Sequence, residues 1–146
     1  MTYVLQELDA VESRLAHLTV ADPVVERLRS FKGIGPVTAW TLRAEIGRFD
    51  RFRSGKQLAR FCGLSPCNMS SGERQADAGL IKAGNPQLRA VLMETAHRLM
   101  RYDPRWHSFA MKLEARGKAR CLVVAAIANR WIRWLYNQMQ PACLAA

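Results

Sequence analysis

The sequence predicts a mainly α-helical bundle, and three observations carry that reading. Apolar residues recur at helical spacing in Val4, Leu8, Val11, Leu15 and Leu18, and again in Leu88, Val91, Leu92, Thr95, Ala96 and Leu99. Asp or Asn followed by proline stands at Asp22-Pro23, Asn85-Pro86 and Asp103-Pro104, each pairing an N-cap side chain with a ring preset for the first helical turn. The last stretch, Ala119 to about Met139, is apolar on several sides, which places it at the centre of a bundle rather than on its surface.

Taken in order, residues 1–20 form a first unit. Its apolar spacings of four, three, four and three are the rhythm of a coiled coil, and so short a helix is marginal without a partner. That partner is a second subunit, a preceding domain or the core of this domain. Residues 21–140 form the main domain, with 141–146 a frayed tail. After a short helix through Val24, Val25 and Leu28 comes Phe31-Lys32-Gly33-Ile34-Gly35-Pro36, where two glycines around one apolar residue allow a tight turn into a helix reaching Gly47. Arg48-Phe49-Asp50-Arg51-Phe52-Arg53 either faces a nucleic-acid backbone or anchors two phenylalanines in the core with its arginines in water. Ser54-Gly55-Lys56-Gln57 has capping-box form and opens a helix that Gly63 ends. Residues 63–84, with four glycines and no helical period, read as one long irregular loop that admits a short β-hairpin. A helix carrying Trp106, Phe109, Met111 and Leu113 follows Asp103-Pro104 and breaks at Gly117.

Charge gives the first hint of a partner. The chain carries 22 Lys and Arg against 12 Asp and Glu, a net +10. Residues 1–30 are net −2, so the remainder holds +12. A field of that sign favours a polyanion through steering and counterion release. The Gly-Ile-Gly-Pro stretch suits the same guest, because the first amides of a helix are unpaired and carry partial positive charge. It resembles the helix-hairpin-helix element that grips nucleic-acid backbones whatever their sequence. Ile34 is then the apolar plug, Gly33, Gly35 and Thr38 bring backbone to the phosphate, and Lys32 is an added phosphate partner. Arg51, Arg53, Arg74, Lys82 and Arg89 are further candidates for nucleic-acid contact. Duplex DNA is the expected partner.

No metal site is expected in this chain. Cys62, Cys67, Cys121 and Cys143 lack zinc spacing and suggest neither a disulfide framework nor an oxidising compartment; they read as reduced, mostly buried thiols. His17, His97 and His107 stand alone. With no signal peptide and no apolar run long enough to span a bilayer, the expected setting is cytoplasmic, on the chromosome of a bacterium, without membrane contact.

A larger pattern emerges from Gly33-Ile34-Gly35-Pro36, Phe49-Asp50-Arg51-Phe52, Leu58-Ala59, Gly63-Leu64-Ser65-Pro66, Ser70-Ser71-Gly72, Ile81-Lys82-Ala83-Gly84-Asn85 and Leu88-Arg89. In order and spacing, over about residues 24–138, it resembles the carboxy-terminal transposase domain of DEDD-type insertion-sequence transposases, which a bridge RNA guides. The amino-terminal helix is similar to the coiled coil that joins the two domains of that family, implying a homo-oligomer. The resemblance implies that a serine of the Ser-Ser-Gly pattern, Ser71 before Ser70, becomes joined to cleaved DNA. It also implies guide RNA as a further partner, and a RuvC-like domain whose carboxylates hold Mg2+. That domain has no counterpart in these residues, so the chain alone is expected not to cleave DNA. A non-catalytic helix-hairpin-helix binding module, or an oligomerisation domain with incidental charge, is the competing reading.

Overall fold

A computed structural model describes residues 2–71, 74–80 and 83–141, with backbone alone at 67–71 and 74–78. The described residues form seven α-helices: α1 (Thr2–Thr19), α2 (Pro23–Arg29), α3 (Pro36–Ile46), α4 (Gly55–Phe61), α5 (Pro86–Tyr102), α6 (Pro104–Ala115) and α7 (Arg120–Gln138). The mainly helical bundle is therefore what the chain adopts. Caps set the boundaries as their chemistry requires. Asp22 accepts from the amides of Val24 (2.9 Å) and Val25 (3.4 Å), Asn85 from those of Gln87 (2.9 Å) and Leu88 (3.1 Å), and Asp103 from that of Arg105 (2.9 Å). Ser54 caps α4 through the Gln57 amide, but the Gln57 side chain turns to the Arg53 amide (2.7 Å) instead of closing the box on Ser54.

The core is built around α7, which packs against α4, α5 and α6. Val123, Ile127, Trp131, Ile132 and Leu135 are buried there among Leu58, Leu88, Leu92 and Leu99. Each such side chain contributes roughly 1.5–3 kcal/mol by leaving water. Long-range hydrogen bonds orient α7: Tyr136 donates to the Phe52 carbonyl (2.7 Å) and Asn129 to that of Leu64 (2.9 Å). Phe49 and Phe52 are buried. A single 3₁₀ turn at Phe49–Arg51, unforeseen from sequence, directs both rings inward.

The structure decides two points that the sequence left open. The segment after α4 contains the short hairpin that the sequence admitted, with β1 (Pro66–Ser71) antiparallel to β2 (Arg74–Leu80) and an irregularity between Pro66 and Asn68. The ladder supplies bonds between the strands that sequence periodicity does not display. The second point concerns α1, which does not pack into the core of this domain, one of the three alternatives that the sequence left open. It buries no residue, and Val4, Leu8, Val11 and Leu18 stay exposed. Its tie to the bundle is at its far end, where Trp40 Nε1 donates to Thr19 Oγ1 (3.0 Å).

Candidate nucleic-acid interface

α2 packs on α3 across the turn at residues 30–35. Within that turn the Ile34 amide donates to the Phe31 carbonyl (3.3 Å), and Ile34 is buried in the core. The two glycines have different reasons to be there. Gly33 has φ +85°, a left-handed conformation, and a Cβ on it would meet Leu99 Cδ2 at 3.1 Å. Gly35 has φ −88° and ψ 177°, extended backbone open to any residue, and a Cβ there would meet nothing within 4 Å. Thus only the first glycine is needed for the turn; the second stands at the N-cap of α3 facing open space.

α3 begins with Pro36 and has no side-chain cap, so the amides of Val37 and Thr38 at its start are left without one. Beside them lies Arg98 from α5. Its Nε donates to the Gly33 carbonyl (3.1 Å), and Nη2 donates to Thr38 Oγ1 (3.1 Å) and Thr95 Oγ1 (3.2 Å). Gly33 to Thr38 and Arg98 together line a shallow depression. Lys32 is exposed at its edge in sequence. Thr38 itself is buried and spends its hydroxyl oxygen on Arg98, so within this group the backbone, not the threonine side chain, faces outward. Arg98 escaped the sequence reading because it lies 65 residues from Gly33; the single local signal is its position three residues after Thr95 on α5.

The other candidates fall elsewhere. Arg51 folds back on the protein, donating from Nε to the Ile46 carbonyl (2.9 Å) with its guanidinium over Phe52 (4.5 Å) and Phe61 (4.8 Å). Arg53 is exposed. Arg89 Nη1 is buried without a hydrogen-bond partner among the described residues, 2.8 Å from where a Cβ on Gly63 would stand. Ser71 ends β1 and Arg74 begins β2, paired across the ladder, as Ser70 is with Gln75. Side chains of Ser70, Ser71 and Arg74, and Gly72 and Lys82 altogether, lie outside the described residues. What the structure does describe is the base of this hairpin. The amide of Leu64 donates to Ala59 (2.9 Å) and that of Asn85 to Phe61 (3.0 Å), while the Asn85 side chain donates to Glu45 Oε2 (2.6 Å). Gly63 and Gly84 cross so closely that a Cβ on Gly84 would overlap the Gly63 backbone.

Electrostatics at the described positions are mostly structural. Burial pushes the Asp22 carboxyl up, but Arg43 Nε at 2.7 Å and the two capped amides outweigh it and hold the group below its ordinary value. Burial drives the Cys62 thiol up to about 12, which leaves it inert. Cys121, by contrast, is exposed. Among the described residues no three His, Cys, Asp or Glu side chains gather where they could hold a metal, and no helix is long and apolar enough to cross a membrane.

Fold and charge thus define a basic, mainly α-helical domain that presents an uncapped helix start flanked by an arginine. Residues 25–110 match the Transposase IS116/IS110/IS902 family, and the chain belongs to that family. It is 32% identical to the transposase for insertion sequence element IS1111A of Coxiella burnetii, over 84% of this chain and 35% of that protein. It is 31% identical to a probable family 20 transposase of Pseudomonas aeruginosa, over 96% of this chain and 38% of the relative. The pilin gene-inverting protein of Moraxella bovis is 31% identical over 75% of this chain and 34% of its own length. The chain therefore spans little more than a third of each of these three relatives.

Proposed function

We propose that this chain is the DNA-binding part of a transposase of the DEDD, bridge-RNA-guided type, acting in DNA transposition. The observation that carries the reading is the uncapped start of α3, with open space at Gly35 and the Arg98 guanidinium bound to the same turn. A phosphate oxygen docking there receives backbone amides, the helix dipole and a nearby fixed cation without any side chain having to move. Such interactions read backbone and not sequence, as a helix-hairpin-helix does. Lys32 and Arg53 extend the grip along the strand.

In this proposal Ser71 is the nucleophile. Its Oγ attacks a DNA phosphorus, forming a serine–phosphate ester as the bond to the leaving sugar oxygen breaks, and its proton passes to a base. The ester conserves the bond for strand exchange. Arg74, paired with Ser71 across the ladder, and Lys82 are suited to balance charge in the transition state. No cluster of side chains among the described residues fits a divalent ion; in this proposal Mg2+ belongs to a RuvC-like domain supplied by a longer protein or a partner. Guide RNA is a further proposed partner, and α1 the proposed joint between copies.

Affinity for a labelled duplex across a salt series tests the grip. Native binding should weaken steeply with salt, by a logarithmic slope of roughly 0.9 for each phosphate neutralised. Gly35→Glu, whose side chain enters open space and leaves the fold intact, should bind at least about tenfold more weakly, a change of about 1.4 kcal/mol. Equal binding by the folded variant would reduce the hairpin to a turn. In a complete transposase, Ser71→Ala should abolish recombination and leave DNA affinity unchanged; recombination that persists removes Ser71 from the mechanism.

A further inference from the structure

A second basic surface lies away from the depression at Gly33–Thr38. A cleft of about 910 Å³ opens between the start of α4 and the neighbouring faces of α6 and α7. Its walls carry Lys56, Arg105, Arg130 and Arg133, all exposed, and no carboxylate. Among the described residues none of the four forms an ion pair. Four unneutralised cations around one concavity repel one another, and an anionic guest relieves that repulsion.

The cleft is also aromatic. Arg130 lies over the Phe109 ring at 4.5 Å and Arg105 over Trp106 at 5.1 Å. Rings beneath the guanidiniums restrain them as flat plates. An unpaired base stacks on such a plate as well as on an aromatic ring, whereas a base inside a duplex is covered by its neighbours. Trp134, on the same wall, meets Phe31 edge-on with 5.3 Å between centroids, and Phe31 leads directly into the Gly33 turn. Through Trp134 and Phe31 the cleft is joined to the segment that leads into that turn.

We infer that the α4–α6–α7 cleft is a binding site for single-stranded nucleic acid, taking unpaired bases against the Arg130 and Arg105 plates and their phosphates on Lys56 and Arg133. The site is separate from the duplex grip and stands whether or not that reading holds.

The test uses the full chain with labelled oligo-dT, oligo-rU and a mixed-sequence duplex. Both single strands should bind, and the tighter one identifies the sugar; binding to neither overturns the proposal. The double variant Arg130→Gln, Arg133→Gln should lose about tenfold or more in single-strand affinity, with the salt slope smaller by roughly 0.7 for each phosphate no longer neutralised. Its duplex affinity should stay within about threefold of native. Gly35→Glu should do the reverse, losing duplex and keeping single strands. Undiminished single-strand binding by the folded double variant overturns the proposal, as does parallel loss of both ligands in both variants. If the double variant unfolds, Lys56→Gln with Arg105→Gln, both at exposed positions, replaces it under the same criteria.

Discussion

Gly33 and Gly35 are the same amino acid two positions apart, and the physics at the two sites differs. A side chain at Gly33 would be forced into the left-handed region and against Leu99. Gly33→Ala should therefore cost roughly 1–2 kcal/mol, lowering the thermal midpoint by about 3–10 °C. At Gly35 an alanine is a poorer N-cap but reduces the freedom of the unfolded chain, and the two effects nearly offset. Gly35→Ala should unfold within about 2 °C of native. Thermal unfolding followed by circular dichroism separates the two; a matching loss at Gly35 would mean that it too is held by the fold. Arg98 belongs to the same scale, since one guanidinium joins α5 to the turn and to Thr38.

Between elements, the Asp22 carboxyl joins α2 to α3, capping the first helix while accepting from Arg43 of the second. Its folded pKa lies below its ordinary value. The unfolded chain therefore takes up the proton first as pH falls, and the stabilisation is present above about pH 4 and lost below it. Asp22→Asn retains a cap and loses the charge. Native chain should exceed the variant in denaturation midpoint at about pH 6, and the gap should close as pH falls from about 4 to 2. A gap that does not change with pH would show that the pair with Arg43 adds nothing to the cap. The β-hairpin is held by the same kind of device: Asn85 caps α5 and reaches Glu45 on α3, so the strands leave and re-enter the bundle at one fixed point. That fixed base is what makes a reacting group near Ser71 a reasonable proposal on a segment rich in glycine.

At the scale of the whole molecule, α1 stands apart. Its apolar stripe is exposed, and the bundle core is complete without it. We expect the full chain to self-associate, and a chain lacking residues 2–18 to sediment as a monomer and remain folded, keeping the near-ultraviolet signal of its buried Trp106 and Trp131. Unchanged association would count against α1 as the joint between copies. The positive charge lies in the remaining residues, so DNA affinity should survive the deletion apart from any gain from having two linked sites.

Helix starts, the central place of α7 and the turn before α3 could be read along the chain, because caps, proline and apolar periodicity act over a few residues. Asp22, Asn85 and Asp103 all cap where their chemistry says they should. The hairpin of β1 and β2 was obscured because its strands are stabilised by each other rather than by local pattern. Arg98 beside Gly33, Arg51 folded over Phe52 and Phe61, and the four cations gathered in the α4–α6–α7 cleft were beyond sequence reading for the same reason. These pairings join residues far apart in the chain, and they exist only once burial of the apolar faces has chosen how the helices pack.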